Sequence, residues 1–367
     1  MTEKSVTRIQ VIPMQSNLDE KESSKANSPI RLEYIDSIRG IAAISVVIAH
    51  FMVPTYGYNN FIFSHILDIG KIGVVLFFII SGFIIPFSFK RENGGVAAFF
   101  ISRFFRLYPG YWFSLLLYLG VSYTLGKEFP IKQIVANITM IQTAMGIKDI
   151  VGVYWTLFIE LVFYALCVVS FIFGMLNKPV FNFASSLLML TVALIMGVAR
   201  YKLGIALPVA LPLALSLMAF GGVWRTYLLD GDNRAKYLAR YYICIFSIVI
   251  PCVSFFSYGS EPGHTLRYTI TYYLSMFFFV IQTTRFKIRN AKMVFMGVIS
   301  YSVYLIHPSL LIVYEYYLSD ASNNMKYLFG IVGVILTIPA SYYSYRFVEL
   351  PSIVLGRKAK NVLIKNK

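Results

Sequence analysis

Residues 34–50 read YIDSIRGIAAISVVIAH and place the ionisable side chains of Asp36, Arg39 and His50 on or just before one strongly apolar helix. The helical repeat turns the chain by about 1100° between Arg39 and His50, so the two side chains project within roughly 20° of each other, about 16 Å apart along the axis. Charged side chains are costly against lipid, so this strip is expected to face a protein-enclosed or water-filled path. The alternative is that Asp36 and Arg39 cap the helix and that His50 is a satisfied core histidine.

The composition is that of an integral membrane protein. Of the 367 residues, 57% are hydrophobic and only 14% are charged, whereas soluble domains are usually nearer one quarter charged. The net charge of +16 is therefore interpreted through the positions of the cations along the chain, and no nucleic-acid partner is expected. The cysteines Cys167, Cys244 and Cys252 lie in or beside apolar segments without metal-ligand spacing, so no structural disulfide is predicted.

Apolar segments long enough to cross a bilayer recur along the chain. Residues 1–33 are polar and predict a disordered cytoplasmic tail, and residues 353–367 predict a basic one. Between them we predict an all-α integral membrane protein whose roughly ten transmembrane helices lie at 38–56, 69–89, 107–125, 153–175, 184–199, 205–222, 241–257, 267–283, 294–318 and 327–346.

The distribution of positive charge predicts the orientation. Most of the 33 Lys and Arg residues fall in the tails and loops that lie on the same side of the membrane as the N-terminus. Positively charged loops remain in the cytoplasm, so both termini are predicted to be cytoplasmic, together with loops 90–106, 223–240 and 284–293.

Within that topology, three ionisable residues are predicted at one depth. His50, Glu160 and His307 come from three different helices and fall in the outer half of the membrane. A carboxylate beside an imidazole orients a general base and stabilises its cation, so His50 and Glu160, with His307, are the candidate catalytic residues. The alternative is that these groups only tie helices together.

A second cluster is predicted at the cytoplasmic side. Arg103 and Arg106 are one helical turn apart with aromatic residues between them, and Arg39 with Asp36 lies at the same level. Guanidinium groups in this arrangement can bind phosphates, although such arginines can also be an ordinary topology signal. Other charged groups are interpreted as surface features, namely the Arg346 and Glu349 pair and the terminal lysines.

The chain contains no metal-ligand cluster, nucleotide-binding loop or hydrolase motif. Metal ions and permanently bound cofactors are therefore not expected. Asn137 and Thr139 form a glycosylation sequon, which is too common a match to carry weight.

Several motifs occur together in a fixed order. They are Arg39 followed after ten residues by His50, GVVLFFIISGF at 73–83, Arg103-x-x-Arg106, Trp155-x-Leu157-x-x-Glu160, SYSVYLIH at 300–307, and VELP at 348–351. Over residues 34–352 the chain resembles acyltransferase family 3, the ten-helix membrane O-acyltransferases of bacteria. Val75 departs from the family pattern, in which many members carry Asp.

The resemblance implies a membrane acyltransferase domain at 34–352 in the bacterial inner membrane. Its members move an acyl group, usually acetyl, from cytoplasmic acyl-coenzyme A to a hydroxyl of a lipid-linked or exported saccharide, such as O-antigen or exopolysaccharide. It also implies that His50 is the catalytic base or acyl carrier, and that Arg39, Arg103 and Arg106 contact coenzyme A.

Two other classes of function remain open from the sequence. The buried charges could form the substrate path of a transporter that exports a glycan or an acyl group, although no internal repeat is present. The other hypothesis is a non-catalytic partner in an envelope assembly. It predicts that Arg39, His50 and Glu160 can each be replaced without loss of function.

Overall fold

In the computed structural model, residues 32–56, 61–89, 94–259 and 263–365 are described, with side chains omitted at 54–56 and 365. These residues fold into helices joined by turns and form no strand. Tyr34–Lys367 is one compact unit. Residues 1–31, which hold almost all of the predicted N-terminal tail, lie outside the described residues.

The helices follow one another with short connections. In chain order they are α1 (Glu33–Tyr56), α2 (Ile69–Ile84), α3 (Gly95–Thr124), α4 (Ile131–Ile138), α5 (Trp155–Ile172), α6 (Pro179–Leu203), α7 (Ala210–Asp230), α8 (Asn233–Tyr258), α9 (His264–Ile281), α10 (Ala291–Val298), α11 (Ser300–Leu318), α12 (Asn323–Ser344) and α13 (Leu350–Lys365).

Each predicted span overlaps a helix, because long apolar runs mark bilayer-spanning helices directly. By length and apolarity, 6 helical segments among the described residues are able to cross a membrane: Glu33–Val53, Ile62–Ser88, Trp155–Ile172, Pro179–Leu203, Asn233–Tyr258 and Asn323–Ile364. The number becomes 7 if α10 and α11, which meet at a 71° bend, form one broken span. The all-helical class is confirmed, while the count of ten and the cytoplasmic termini stay predictions.

Three predicted boundaries differ from the structure. α3 begins at Gly95, so Arg103 and Arg106 lie inside a helix and not in a loop ending at residue 106. The predicted span 294–318 is interrupted at Ile299. Residues 353–365, expected to be a tail, continue a helix that packs on α3, where Gly356 lies against the Phe105 side chain.

Helices α2 and α7 cross closely enough that only glycine fits at the contact. A Cβ placed on Gly82 would overlap the backbone carbonyl of Met218, and one placed on Gly221 would overlap that of Ile79. Small residues of this kind let membrane helices approach with their backbones in contact. This crossing holds α2 in place, and α2 forms one wall of the cavity described below.

Gly82→Ala is expected to destabilise the fold by about 1–3 kcal/mol, because the added methyl group must push α2 away from α7. Thermal unfolding of the purified protein in detergent measures this as a lower Tm. Gly120→Ala in α3 is the matched control, since nothing lies within 4 Å of a Cβ at that position. Equal Tm values for the two variants would contradict the close crossing.

Helix α11 lies between two buried apolar clusters. One cluster includes Val46, Phe78 and Tyr154, and the other includes Val47 and Phe51. The first half of α11 is almost completely buried, so any polar side chain on it must find its partners inside the protein.

Candidate active site

His50 of α1 and His307 of α11 are in direct contact. His50 Nδ1 and His307 Nε2 are 3.2 Å apart. The ring centroids are 5.0 Å apart and the ring planes are inclined by 24°. His307 has no exposed surface, whereas His50 is partly buried. Two residues that are 257 positions apart in the chain therefore form one unit.

The hydrogen bonds determine which nitrogens carry protons when both rings are neutral. His307 Nδ1 lies 3.0 Å from the carbonyl oxygen of Val303, which can only accept, so this nitrogen is the donor. His307 Nε2 is then an acceptor, and His50 Nδ1 donates to it. This arrangement leaves the lone pair of His50 on Nε2, where it can accept a proton.

His50 lines a cavity of about 430 Å³. The wall around it is largely apolar and aromatic, with contributions from Val75, Phe78, Trp155 and Tyr304. Tyr304 is fixed by donating to the Val153 carbonyl over 2.9 Å. A concave apolar site with a few placed polar groups is the usual form of a small-molecule site.

The loop before α5 sets one edge of this cavity. The Asn137 side chain is buried and accepts a hydrogen bond from the Ile150 amide over 3.0 Å while donating to the Lys148 carbonyl. Tyr111 in turn donates to the Asn137 carbonyl. The Asn137 side chain is therefore enclosed and has a structural role, and it is not accessible for glycosylation in this fold.

Glu160 is not placed beside His50 as the sequence suggested. Its carboxylate accepts a hydrogen bond from Tyr164, one helical turn further along α5. It also lies within electrostatic range of Arg39 and Tyr304. Among the described contacts, the side chain that hydrogen-bonds His50 is His307, and Glu160 belongs to the polar groups between the histidine pair and Arg39.

Arg39 lies in a polar cluster at the opposite end of α1 from His50. Its guanidinium is 3.9 Å from the Asp36 carboxylate and within electrostatic range of Arg106 and Glu349. Glu349 is only 1% exposed and accepts a hydrogen bond of 2.8 Å from Ser302. The interpretation of Glu349 as a surface feature was wrong, because the helical chain after α12 turns this residue into the bundle.

Arg103 is held differently from Arg106, although the two were predicted together. Its guanidinium donates to the Ser88 hydroxyl over 3.2 Å and lies over the rings of Phe99 and Tyr164. These contacts fix Arg103 in a partly buried position, where a cation and aromatic faces attract one another. Arg106 instead lies within electrostatic range of Arg39 and Glu349, so only Arg106 joins the Arg39 cluster.

The cavity also holds a charged group that the sequence analysis missed. Arg267 pairs with Asp68 over 3.1 Å, and Lys71 lies nearby with its ammonium 3.5 Å from the ring centroid of Tyr268. We call Asp68, Lys71 and Arg267 the Lys71 cluster. Lys71, a lysine within the predicted span 69–89, was the available signal. The Asp68–Arg267 pair beside it could not be read from the sequence, because its two residues are 199 positions apart.

No group of three or more His, Cys, Asp or Glu residues with the arrangement of a metal site occurs in the described part of the chain. The comparisons with known proteins give one result. A family model described as an acyltransferase domain matches residues 32–346. No curated protein and no solved structure matches the chain.

Proposed function

Since this chain belongs to the acyltransferase family that matches residues 32–346, we propose that it moves an acyl group from acyl-coenzyme A to a hydroxyl of a cell-surface saccharide. The acyl group is expected to be acetyl, and the protein is expected to work as a multi-pass protein of the bacterial inner membrane. The observation that carries the proposal is the contact of 3.2 Å between His50 and His307 at the wall of a cavity.

The proposed reaction is direct transfer with His50 as the general base. The acceptor hydroxyl attacks the thioester carbonyl while its proton passes to Nε2 of His50. The tetrahedral intermediate then collapses, the carbon–sulfur bond breaks, and the proton on His50 neutralises the departing thiolate. His307 is a positioning residue, because its Nε2 holds the proton of His50 on Nδ1.

The donor is proposed to bind at the end of the bundle that holds Arg39, Asp36 and Arg106. Guanidinium groups bind phosphates through charge-assisted hydrogen bonds, and coenzyme A carries several phosphates. Arg39 and His50 lie on one face of α1, about 16 Å apart by helical geometry, so an extended thioester arm can run from one to the other. Arg103 already donates a hydrogen bond to Ser88, so its proposed role is to support this end of the site and not to contact the donor.

The reaction is tested with purified protein in nanodiscs, radiolabelled acetyl-coenzyme A and a bacterial membrane glycolipid extract. Transfer of label to saccharide supports the proposal, and mass spectrometry of the labelled product identifies the acceptor. If the protein neither binds nor consumes acetyl-coenzyme A, the proposed donor is wrong. Export of glycan by the protein in vesicles without an acyl donor would favour a transporter instead.

Charge reversal at Arg106 is expected to raise the KM for acyl-coenzyme A about tenfold or more, since a charge-assisted hydrogen bond contributes about 1.5–3 kcal/mol. The KM for the acceptor should stay within about twofold, because the cavity beside His50 is unchanged. Steady-state kinetics of Arg106→Glu measures both constants. Arg240→Glu, which reverses an exposed charge on α8, is the control. An equal rise in both constants would point to misfolding.

A further inference from the structure

Resting on the proposed function, we propose that the cavity beside His50 selects an acceptor with an anionic group, a carboxylate or a phosphate, and that Lys71 and Arg267 bind this group. The Lys71 cluster and His50 line the same cavity. An acceptor held by its anionic group at Lys71 and Arg267 would extend from there toward the catalytic histidine.

The cavity wall carries an excess of positive charge. The described residues of the cavity wall include two cations, Lys71 and Arg267, and one carboxylate, Asp68. Both carboxylate oxygens of Asp68 already have partners. One pairs with Arg267, and the other accepts a hydrogen bond of 2.9 Å from the backbone N–H of Lys71. The Lys71 ammonium has no ion-pair partner among the described residues, so the wall retains one uncompensated positive charge.

An uncompensated charge inside a membrane protein is costly and usually marks a substrate or ion site. Lys71 is held over the ring of Tyr268 at 3.5 Å and that of Tyr258 at 4.8 Å from the ring centroids. Aromatic faces stabilise the cation without neutralising it. Arg267 likewise retains a buried Nε with no described hydrogen-bond partner. Lys71 and Arg267 are therefore held in place, yet each keeps the capacity to bind an anion.

Contacts within the protein also fix the charged groups of the Lys71 cluster in place. The Asp68 backbone N–H donates to Thr271 over 3.0 Å, which ties the start of α2 to α9. The Asp68 carboxylate also caps α2. A site whose charged groups are fixed in this way binds its ligand without spending affinity on ordering side chains.

The remaining wall fits a saccharide. Trp155, Tyr272 and Tyr304 present aromatic surface to the same cavity. Aromatic faces of this kind suit the C–H faces of sugar rings, while the cations would select for the charged group. The anion could belong to the sugar itself, as the carboxylate of a uronic acid, or to the phosphate that links a glycan to a lipid. Both offer the same chemistry to Lys71 and Arg267.

The test measures binding in the absence of acyl donor, by the rise in Tm of the protein in nanodiscs. The probes are methyl glucuronide and undecaprenyl phosphate, with methyl glucoside and undecaprenol as their neutral counterparts. At least one anionic probe should raise the Tm, its neutral counterpart should not, and the identity of the active probe distinguishes the two sources. Failure of both anionic probes would overturn the proposal.

Substitutions assign the effect to the Lys71 cluster. Lys71→Met and Arg267→Gln should weaken binding of the anionic probe at least about tenfold, and Lys71→Arg should retain it. Asp68→Asn should strengthen binding several-fold, because it removes the competing carboxylate and keeps an oxygen that can cap α2. A misfolded variant would not bind more tightly. Unchanged affinity in both Lys71→Met and Arg267→Gln would overturn the proposal.

The outcome is separate from that of the acyltransferase proposal. His50→Ala should bind the anionic probe as wild type does, since the Lys71 cluster is intact. Anion binding without any acyl transfer would contradict the proposed reaction and leave this site standing. Acyl transfer without selective anion binding would leave the reaction standing and contradict this site.

Discussion

Replacing His50 by alanine is expected to lower the rate of acyl transfer about 10²–10⁴-fold, which is the usual contribution of a general base. Because His50 Nδ1 donates to His307, the lone pair of His50 lies on Nε2, away from His307 and free to take a proton. The protein should still insert and fold, because His50 is partly exposed to the cavity and its removal leaves the surrounding helix contacts in place.

The measurement compares wild type and His50→Ala with radiolabelled acetyl-coenzyme A, both for label in saccharide and for binding of the donor. Binding should be nearly unchanged, because the proposed phosphate contacts lie at the Arg39 end of α1. His65→Ala is the matched control, since His65 bonds to Ser64 and does not line the cavity. Normal acylation by His50→Ala would remove His50 from the mechanism.

The same assay separates two roles for His50. If His50 is first acylated, label should appear on the wild-type protein when donor is supplied without acceptor. Direct transfer, which we propose, predicts no labelled protein under those conditions. The neutral lone pair on Nε2 is compatible with either route, so the distinction requires this measurement.

Much of the helical layout could be predicted because long apolar segments must form helices in a bilayer. Rotation along a single helix was equally accessible, so Arg39 and His50 could be placed on one face of α1 from their spacing. Depth in the membrane also brought His50 and His307 to one level, where the two side chains meet. It placed Glu160 there as well, although the Glu160 carboxylate accepts from Tyr164 instead. Helix assignment and rotation need only the geometry of one helix.

Contacts between helices could not be predicted in the same way. Depth does not specify which direction a side chain faces, and this depends on helix crossings such as that of Gly82 on α7. For this reason the partner of His50 is His307 and not Glu160. Glu349 was misread for a related reason, since its burial depends on how the chain after α12 packs against Ser302.

Substitutions of His307 test whether it positions His50. His307→Phe is expected to lower kcat about 10–100-fold, because it keeps a ring in the buried space but removes the nitrogen that accepts the hydrogen bond from His50 Nδ1, a loss of about 1–3 kcal/mol. His307→Gln should retain more activity, since its side-chain oxygen can accept a hydrogen bond from His50 Nδ1. The KM for acyl-coenzyme A should change little in either variant.

These kinetic constants distinguish a positioning residue from a residue that only fills the core. A packing role predicts that phenylalanine, being apolar and aromatic, is tolerated better than glutamine in this buried site, and that Tm follows activity. A positioning role predicts the opposite order for kcat, with glutamine above phenylalanine whatever the order of the Tm values. Full kcat in His307→Phe would therefore show that His50 works without the His307 imidazole, and that the contact of 3.2 Å serves only to join α1 to α11.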